Sequence, residues 1–292
     1  MYVLLILSTL FVVNHTMFLT ERHTNEGFSQ TDRFVAKYDA DIYDEFYNKV
    51  YDTINVPTTQ LKTVLAAINT KPPDKSNDVF LDVGCGTGTV LNELYDKGYN
   101  VYGLDKSESM VEYCIAKNPE LNVKQGDALE PMVYDKGTIT HILCTDFTIY
   151  QIEDKASFFR NCYFWLKPYG RIFIHLVDKH KYNPVPLFAK PQLFEDIQNY
   201  STTRVTNSEV DFVDYRYKSD VKINDKTVIL TETFVDSSTA NIRQNQQTLY
   251  VDSVKDILNT AQYSGFIVTG QLNMKESKND EYQYIYILER PM

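Results

Sequence analysis

Metal-ligand spacing, disulfide pairing and a cationic surface are all missing from this chain of 292 residues. Its four cysteines, Cys85, Cys114, Cys144 and Cys162, form no CxxC pair, and none has a histidine at zinc-site spacing. Each lies in or beside an apolar run, where a thiol acts as a small hydrophobe. That pattern fits a reducing compartment and excludes a disulfide framework; no metal is expected. Runs of Lys and Arg are absent, and 29 basic against 39 acidic residues leave a formal net charge of −10. A protein that neutralises phosphates needs a cationic surface, so DNA and RNA are not expected partners. No internal repeat is visible. A hydrophobic fraction of 43% with a charged fraction of 23% argues against wholesale disorder. The length suffices for a sizeable core.

The N-terminus lacks a basic n-region and a small-residue cleavage site, which argues against a cleaved signal peptide. Yet residues 1–13 are almost unbroken aliphatic, and Met17, Phe18 and Leu19 extend the run. About 20 apolar residues cross a bilayer. The expectation is an uncleaved membrane anchor over residues 1–19, with the domain behind it on the cytoplasmic side. The alternative is an apolar helix packed on a soluble cytoplasmic domain. Residues 20–34 are polar and read as a linker.

From Tyr38 to Tyr51 apolar and aromatic residues fall near helical spacing, which predicts an amphipathic helix. A second helix is predicted from Thr58 to Ile68, closed by Lys71-Pro72-Pro73-Asp74. Strands and helices then alternate. Strands are predicted at Val79 to Val83, Val101 to Leu104, Val123 to Gln125, Ile139 to Cys144 and Arg171 to Val177. Helices lie between them at Val90 to Lys97, Ser109 to Lys117 and Lys155 to Leu166. Short apolar runs alternating with helices imply an α/β fold, a mostly parallel sheet with helices on both faces. After Asp178 the pattern changes to extended segments rich in Tyr, Val and Thr, at Val210 to Ile223, Thr227 to Val235 and Ile242 to Val251. These predict an inserted antiparallel meander, about residues 205–251. A helix from Asp252 to Tyr263 and strands at Phe266 to Leu272 and Tyr282 to Glu289 close the domain, which spans residues 35–292.

The informative string is Leu81-Asp82-Val83-Gly84-Cys85-Gly86-Thr87-Gly88-Thr89. Glycines between a strand and a helix let backbone approach a ligand where a Cβ would collide. The dinucleotide fingerprint puts its third glycine five positions after the first; here the third follows at four, and Asp82 precedes the first by two. An anionic Asp82 is a poor neighbour for pyrophosphate and suits an ammonium. Asp105 ends the next strand, where an acid accepts ribose hydroxyl protons. Asp127, in Gly126-Asp127-Ala128, ends the third, placed for an adenine amino group. A ligand with an amino-acid end, a ribose and an adenine but no phosphate is S-adenosylmethionine.

Asp82-Val83-Gly84-Cys85-Gly86-Thr87-Gly88, Asp105 and Gly126-Asp127-Ala128 resemble the first three motifs of class I S-adenosylmethionine-dependent methyltransferases. Trp165-Leu166-Lys167-Pro168-Tyr169-Gly170 resembles the turn before that family's fifth strand, and Gly265-Phe266 the start of its sixth. The resemblance implies a Rossmann-like seven-stranded sheet and a cofactor site at Tyr43, Tyr51, Asp82, Gly84, Cys85, Gly86, Gly88, Asp105, Lys106, Met110, Asp127, Ala128, Thr145 and Phe147. Thr145-Asp146-Phe147-Thr148-Ile149-Tyr150 is similar to the loop of sugar N- and glycine-type N-methyltransferases, which implies a small-molecule acceptor and a meander serving as its lid. The signature of DNA amino-methyltransferases is absent. Tyr43 and Tyr51 either cap the cofactor or pack a helix. His175 and Tyr150 are the candidates for chemistry at the acceptor. The other reading of His175 is a packed strand residue, and of Tyr150 and Phe147 a place in the core. The expected activity is methyl transfer to N or O of a small molecule. The alternative is an inactive binding module or a protein methyltransferase.

Overall fold

The computed structural model describes residues 30–190 and 197–292. The expected anchor over residues 1–19 lies outside the described residues, as does most of the expected linker. Among the described residues no helix is long and apolar enough to cross a membrane.

Where the sequence suggested a linker to residue 34 and one helix from Tyr38, the chain forms strand β1 (Phe34–Tyr38), a 3-10 turn (Asp39–Ile42) and helix α1 (Glu45–Asn55). Asp44 explains the late helix start. Its carboxylate accepts the Tyr47 N–H at 3.2 Å, the capping bond that satisfies an orphan donor of a first turn. Helix α2 (Thr58–Ile68) follows.

The central sheet is built from β2 (Val79–Val83), β3 (Asn100–Asp105), β4 (Asn122–Gln125), β5 (Ile139–Cys144) and β6 (Leu166–Val177). Between them run α3 (Thr89–Asp96), α4 (Glu108–Lys117), the short α5 (Thr148–Gln151) and α6 (Lys155–Trp165). Phe80, Leu81, Ile142, Leu143, Phe173 and Ile174 are buried between the helical layers, as strands covered on both faces require. Chain order reverses at β2, with β3 and β4 on one side and β5 and β6 on the other. Such a switch point opens a crevice at the carboxyl ends of the strands.

The segment expected as a three-stranded meander is four strands, because the first breaks in two. These are β7 (Asn207–Asp211), β8 (Tyr215–Ile223), β9 (Thr227–Asp236) and β10 (Ile242–Tyr250). Between β7 and β8 the Phe212 N–H donates to the Tyr215 carbonyl at 2.8 Å, closing a tight turn. Strand β1 joins them parallel to β10, with Phe34 opposite Ile242, giving a second sheet in the order β1-β10-β9-β8-β7. Tyr217 and Phe234 on its inner face pack with Ile42, Tyr47, Val50 and Ile54 of the N-terminal segment and Met110 of α4. This apolar seam fixes the second sheet over the crevice. Helix α7 (Val254–Tyr263), β11 (Ile267–Asn273), α8 (Lys275–Lys278) and β12 (Gln283–Glu289) return the chain to the central sheet. That sheet has seven strands in the order β11-β12-β6-β5-β2-β3-β4, with β12 antiparallel to both neighbours.

Trp165 ends α6 fully buried, and its Nε1–H donates to the Pro131 carbonyl at 2.8 Å. Trp165→Ala is expected to cost about 3–5 kcal/mol, the usual range for removing a large buried ring. Denaturant melts followed by circular dichroism check this; a loss below about 1 kcal/mol would show that the layer repacks around the gap.

Candidate active site

The loop from Gly84 to Gly88 turns out of β2 with positive φ at Gly84 (69°), Gly86 (52°) and Gly88 (77°). Side chains rarely adopt that conformation, and two of the positions have no room for one. A Cβ on Gly84 would stand 2.6 Å from Cγ2 of Thr148, and one on Gly88 would stand 2.3 Å from Sγ of Cys114. Gly86 differs. A Cβ there would meet only the Tyr51 ring, at 3.9 Å, and Gly86 and Tyr51 both border the cleft.

Asp105 sits at the carboxyl end of β3 with both oxygens engaged by backbone. Oδ2 accepts the Gly86 N–H at 2.8 Å and Oδ1 the Ser107 N–H at 2.9 Å. Burial raises its pKa, and those bonds pull the other way. A carboxylate has about four acceptor sites, so two remain for a ligand in the cleft. Asp82 lies deeper, 3% exposed, and is pushed up to about 8 by burial and then by the charge of Asp105. Asp127 stands at the rim. Its partial burial is outweighed by Lys106, whose ammonium donates at 2.8 Å, and by the Leu129 N–H at 2.9 Å, so its pKa is lowered.

Helix α1 roofs this floor. The Thr87 hydroxyl donates to Asp52 at 2.5 Å and Lys117 pairs with the same carboxylate at 2.8 Å, which brings Tyr51, one residue earlier, over the cleft. The cleft is about 530 Å³, bounded by the glycine loop, Asp105, Asp127, α1 and β10. Beside it an inner chamber of about 160 Å³ lies between the second sheet, the 182–190 segment and the loop after β5. Tyr43, Tyr51, Gln151 and Gln247 border both spaces. The Tyr43 hydroxyl accepts from Gln247 at 2.6 Å.

Of the residues the sequence singled out, Tyr43, Tyr51, Gly84, Gly86, Asp105, Lys106, Met110, Asp127 and Ala128 line the cleft. Asp82, Cys85, Gly88 and Thr145 lie under it; Asp82, Cys85 and Thr145 are buried, and Gly88 packs on Cys114. Phe147 lines the chamber instead. The two residues proposed for chemistry need correcting. His175 is fully buried, Phe147 stands edge-on to its ring at 5.0 Å, and burial lowers its pKa to about 4. Its Nε2 meets Oε1 of Gln283 at 3.0 Å, and Gln283 Nε2 donates to Asp280; Nε2 therefore carries the proton. Tyr150 is equally buried and accepts the Val177 N–H at 2.8 Å. Both brace the core around β6, and neither borders the cleft or the chamber. Sequence reasoning missed Gln151, Gln247 and Glu232. Glu232 had a signal, since it sits in the apolar phase of β9 with Val228, Leu230 and Phe234.

Residues 80–170 match the model of a methyltransferase domain. Phosphoethanolamine N-methyltransferase 1 of Triticum aestivum is 33% identical over 137 residues, 44% of this chain and 26% of that protein. Ubiquinone biosynthesis O-methyltransferase of Coxiella burnetii is 30% identical over 105 residues, 34% of this chain and 44% of that protein. The chain thus spans between a quarter and a half of the length of these relatives. Among solved structures, an S-adenosylmethionine-dependent methyltransferase from Clostridium acetobutylicum superposes with a TM-score of 0.64 at 14% identity, covering 85% of this chain and 97% of that one. A sugar N-methyltransferase from Streptoalloteichus gives 0.60 at 16%, covering 85% and 94%. Residues 80–170 thus carry a likeness to methyltransferase domains, and the two solved structures share the fold of most of the chain. The lining is compatible with S-adenosylmethionine: bare backbone at Gly86 and the carboxylates of Asp105 and Asp127 border the cleft, and Asp82 lies buried beneath it.

Hydrogen bonds to a charged group contribute about 1.5–3 kcal/mol each. Asp105→Ala, losing two, is expected to weaken S-adenosylmethionine binding at least ~100-fold by calorimetry; unchanged affinity would remove Asp105 from the ribose contact. Asp82 makes a second prediction. Its folded value near 8 lies above its ordinary 3.8, so its stabilisation is complete below the ordinary value and lost as pH climbs through about 8. His175, lowered to about 4 from 6.5, acts oppositely, losing stabilisation as pH falls. Asp82→Asn should therefore flatten the decline of Tm between about pH 4 and 8 and leave the slope above that window unchanged, with cofactor-free protein melted across the pH series. Asp105 shifts in the same sense and keeps part of the slope.

Proposed function

We propose that this chain transfers a methyl group from S-adenosylmethionine to a nitrogen or oxygen of a small molecule held in the inner chamber. The shared wall carries this reading. Tyr43, Tyr51, Gln151 and Gln247 border both spaces, so the two adjoin, and a donor in the cleft meets an acceptor in the chamber where these side chains frame the join.

S-adenosylmethionine brings an activated methyl on a positively charged sulfur. The chain contributes alignment and dryness, which is most of what such a displacement needs. Asp105 and the glycine loop set the sugar. The four shared residues restrict the approach to one line. Helix α1, the 3-10 turn and β10 cover the reacting region. An amine with a free lone pair needs no general base, while a hydroxyl gains more from one; neither His175 nor Tyr150 is placed to supply it. The chamber is close in size to a 150 Å³ cavity that holds benzene, which favours a small acceptor or a small reacting end. In this reading residues 35–292 form the methyltransferase domain, with residues 205–251 inserted as the lid. The two curated relatives, named for an N- and an O-methyl transfer, support a small-molecule acceptor and leave the atom open.

Release of S-adenosylhomocysteine is the direct test, with purified protein, labelled donor and panels of small amines and small alcohols or phenols. Turnover that depends on a small acceptor and disappears in Asp105→Ala is the expected result. Donor binding without turnover on either panel would overturn the reading in favour of a binding module. Turnover on peptides alone would make it a protein methyltransferase.

A further inference from the structure

Resting on that reading, we propose that the acceptor carries a basic amine, bound as a cation against Glu232 among the tyrosines of the chamber; where that nitrogen is the one methylated, its proton passes first to the Glu232 carboxylate and frees the lone pair.

Strand β9 points Val228, Leu230, Glu232 and Phe234 to one face, and Glu232 is 4% exposed on the chamber wall. Its two oxygens accept from phenols, Oε2 from Tyr47 at 2.8 Å and Oε1 from Tyr217 at 2.9 Å. These donors are neutral. Among the described residues no Lys or Arg stands within ion-pair distance of Glu232. The buried Arg243 gives its ion pair to Asp44 at 2.8 Å and its Nε to Asn245 at 2.9 Å. Asn245 stands directly opposite Glu232 in the ladder and adds a third neutral side chain beside its carboxylate. The other acid of the chamber, Asp146, is matched by Lys278 at 3.2 Å. The Lys190 ammonium is held by the carbonyls of Lys278 and Asn279, on a different wall.

A buried carboxylate without a directly paired cation is disfavoured, and burial raises the pKa of Glu232 against the pull of Tyr47, Tyr217, Asn245 and the more distant charge of Arg243. A cationic guest supplies the missing countercharge. The rings around it add to that preference. Tyr43 and Tyr51 each stand edge-on to Tyr47, at 5.6 and 5.8 Å, and Phe147 and Tyr182 complete the lining. Aromatic walls stabilise an ammonium and do little for an alcohol of the same shape. If Glu232 served only to hold two tyrosines in place, the chamber would not distinguish an amine from its neutral isostere.

Benzylamine and benzyl alcohol make that comparison at nearly equal shape. Each is titrated by NMR into the full chain saturated with S-adenosylhomocysteine. Benzylamine is expected to bind about tenfold tighter or more, and Glu232→Gln to bring the two within about twofold while S-adenosylhomocysteine still binds. Equal affinities in the unaltered protein, or no benzylamine binding, overturn the proposal, and that arm needs no variant. A preference that survives Glu232→Gln overturns it as well. Failure of S-adenosylhomocysteine to saturate the unaltered protein would strike the methyltransferase reading instead, so the two failures are distinct.

Discussion

A carboxylate at the buried end of a strand must find donors or give up its charge. Asp105 finds two, and they come from different turns: Gly86 in the loop after β2 and Ser107 at the start of α4. One side chain thereby ties two adjacent strand exits together. Ser107 extends the tie. Its hydroxyl accepts the Met110 N–H at 3.2 Å, capping α4, and donates to the Tyr43 carbonyl at 2.8 Å. Floor and roof of the cleft are thus positioned from the same few atoms. Only an anion, or a very good acceptor, performs both tasks at that strand end.

The same geometry makes the site electrostatically demanding. Asp82 and Asp105 repel each other in a buried floor, and Glu232 is a further buried acid in the roof. Acids assembled without matching cations destabilise the empty protein and favour positively charged guests. On the proposed reading, a sulfonium donor in the cleft and a cationic amine in the chamber answer the two imbalances separately. The roof is held by the apolar seam around Phe234 and Tyr217, which borders Glu232, and by the Asp52 carboxylate shared by Thr87 and Lys117.

Much of this was legible before any coordinates. Strands β2 to β6 are short apolar runs because both faces are covered, and their helices end at Gly98, Pro119 and the Pro168 turn. Glycine spacing and acids at successive strand ends located the cleft. Strand β1 was not legible, since its partner β10 lies some 200 residues onward and nothing local marks a parallel edge. The break between β7 and β8 hides in a run whose composition is extended throughout. His175 and Tyr150 show a different limit. Periodicity identifies a buried position, but it does not tell whether that position faces a ligand or the next layer. Glu232 shows the converse, because a charge in the apolar phase of a strand is readable as an anomaly.

The distribution of the chamber's walls bears on how far similarity reaches. The matched methyltransferase segment, residues 80–170, contains the glycine loop, Asp105 and Asp127. Of the chamber it contains only Asp146, Phe147 and Gln151. Tyr47 and Tyr51 come from α1 and Tyr43 from the turn before it, Glu232 and Gln247 from the second sheet, and Lys278 and Gln283 from the C-terminal return. A segment that builds the donor's half can be shared by proteins with unrelated acceptors, because the acceptor's half is supplied by other parts of the chain. The identity of the acceptor is therefore to be sought in α1 and in β8 to β10, where a single buried acid among tyrosines departs most from what folding alone requires.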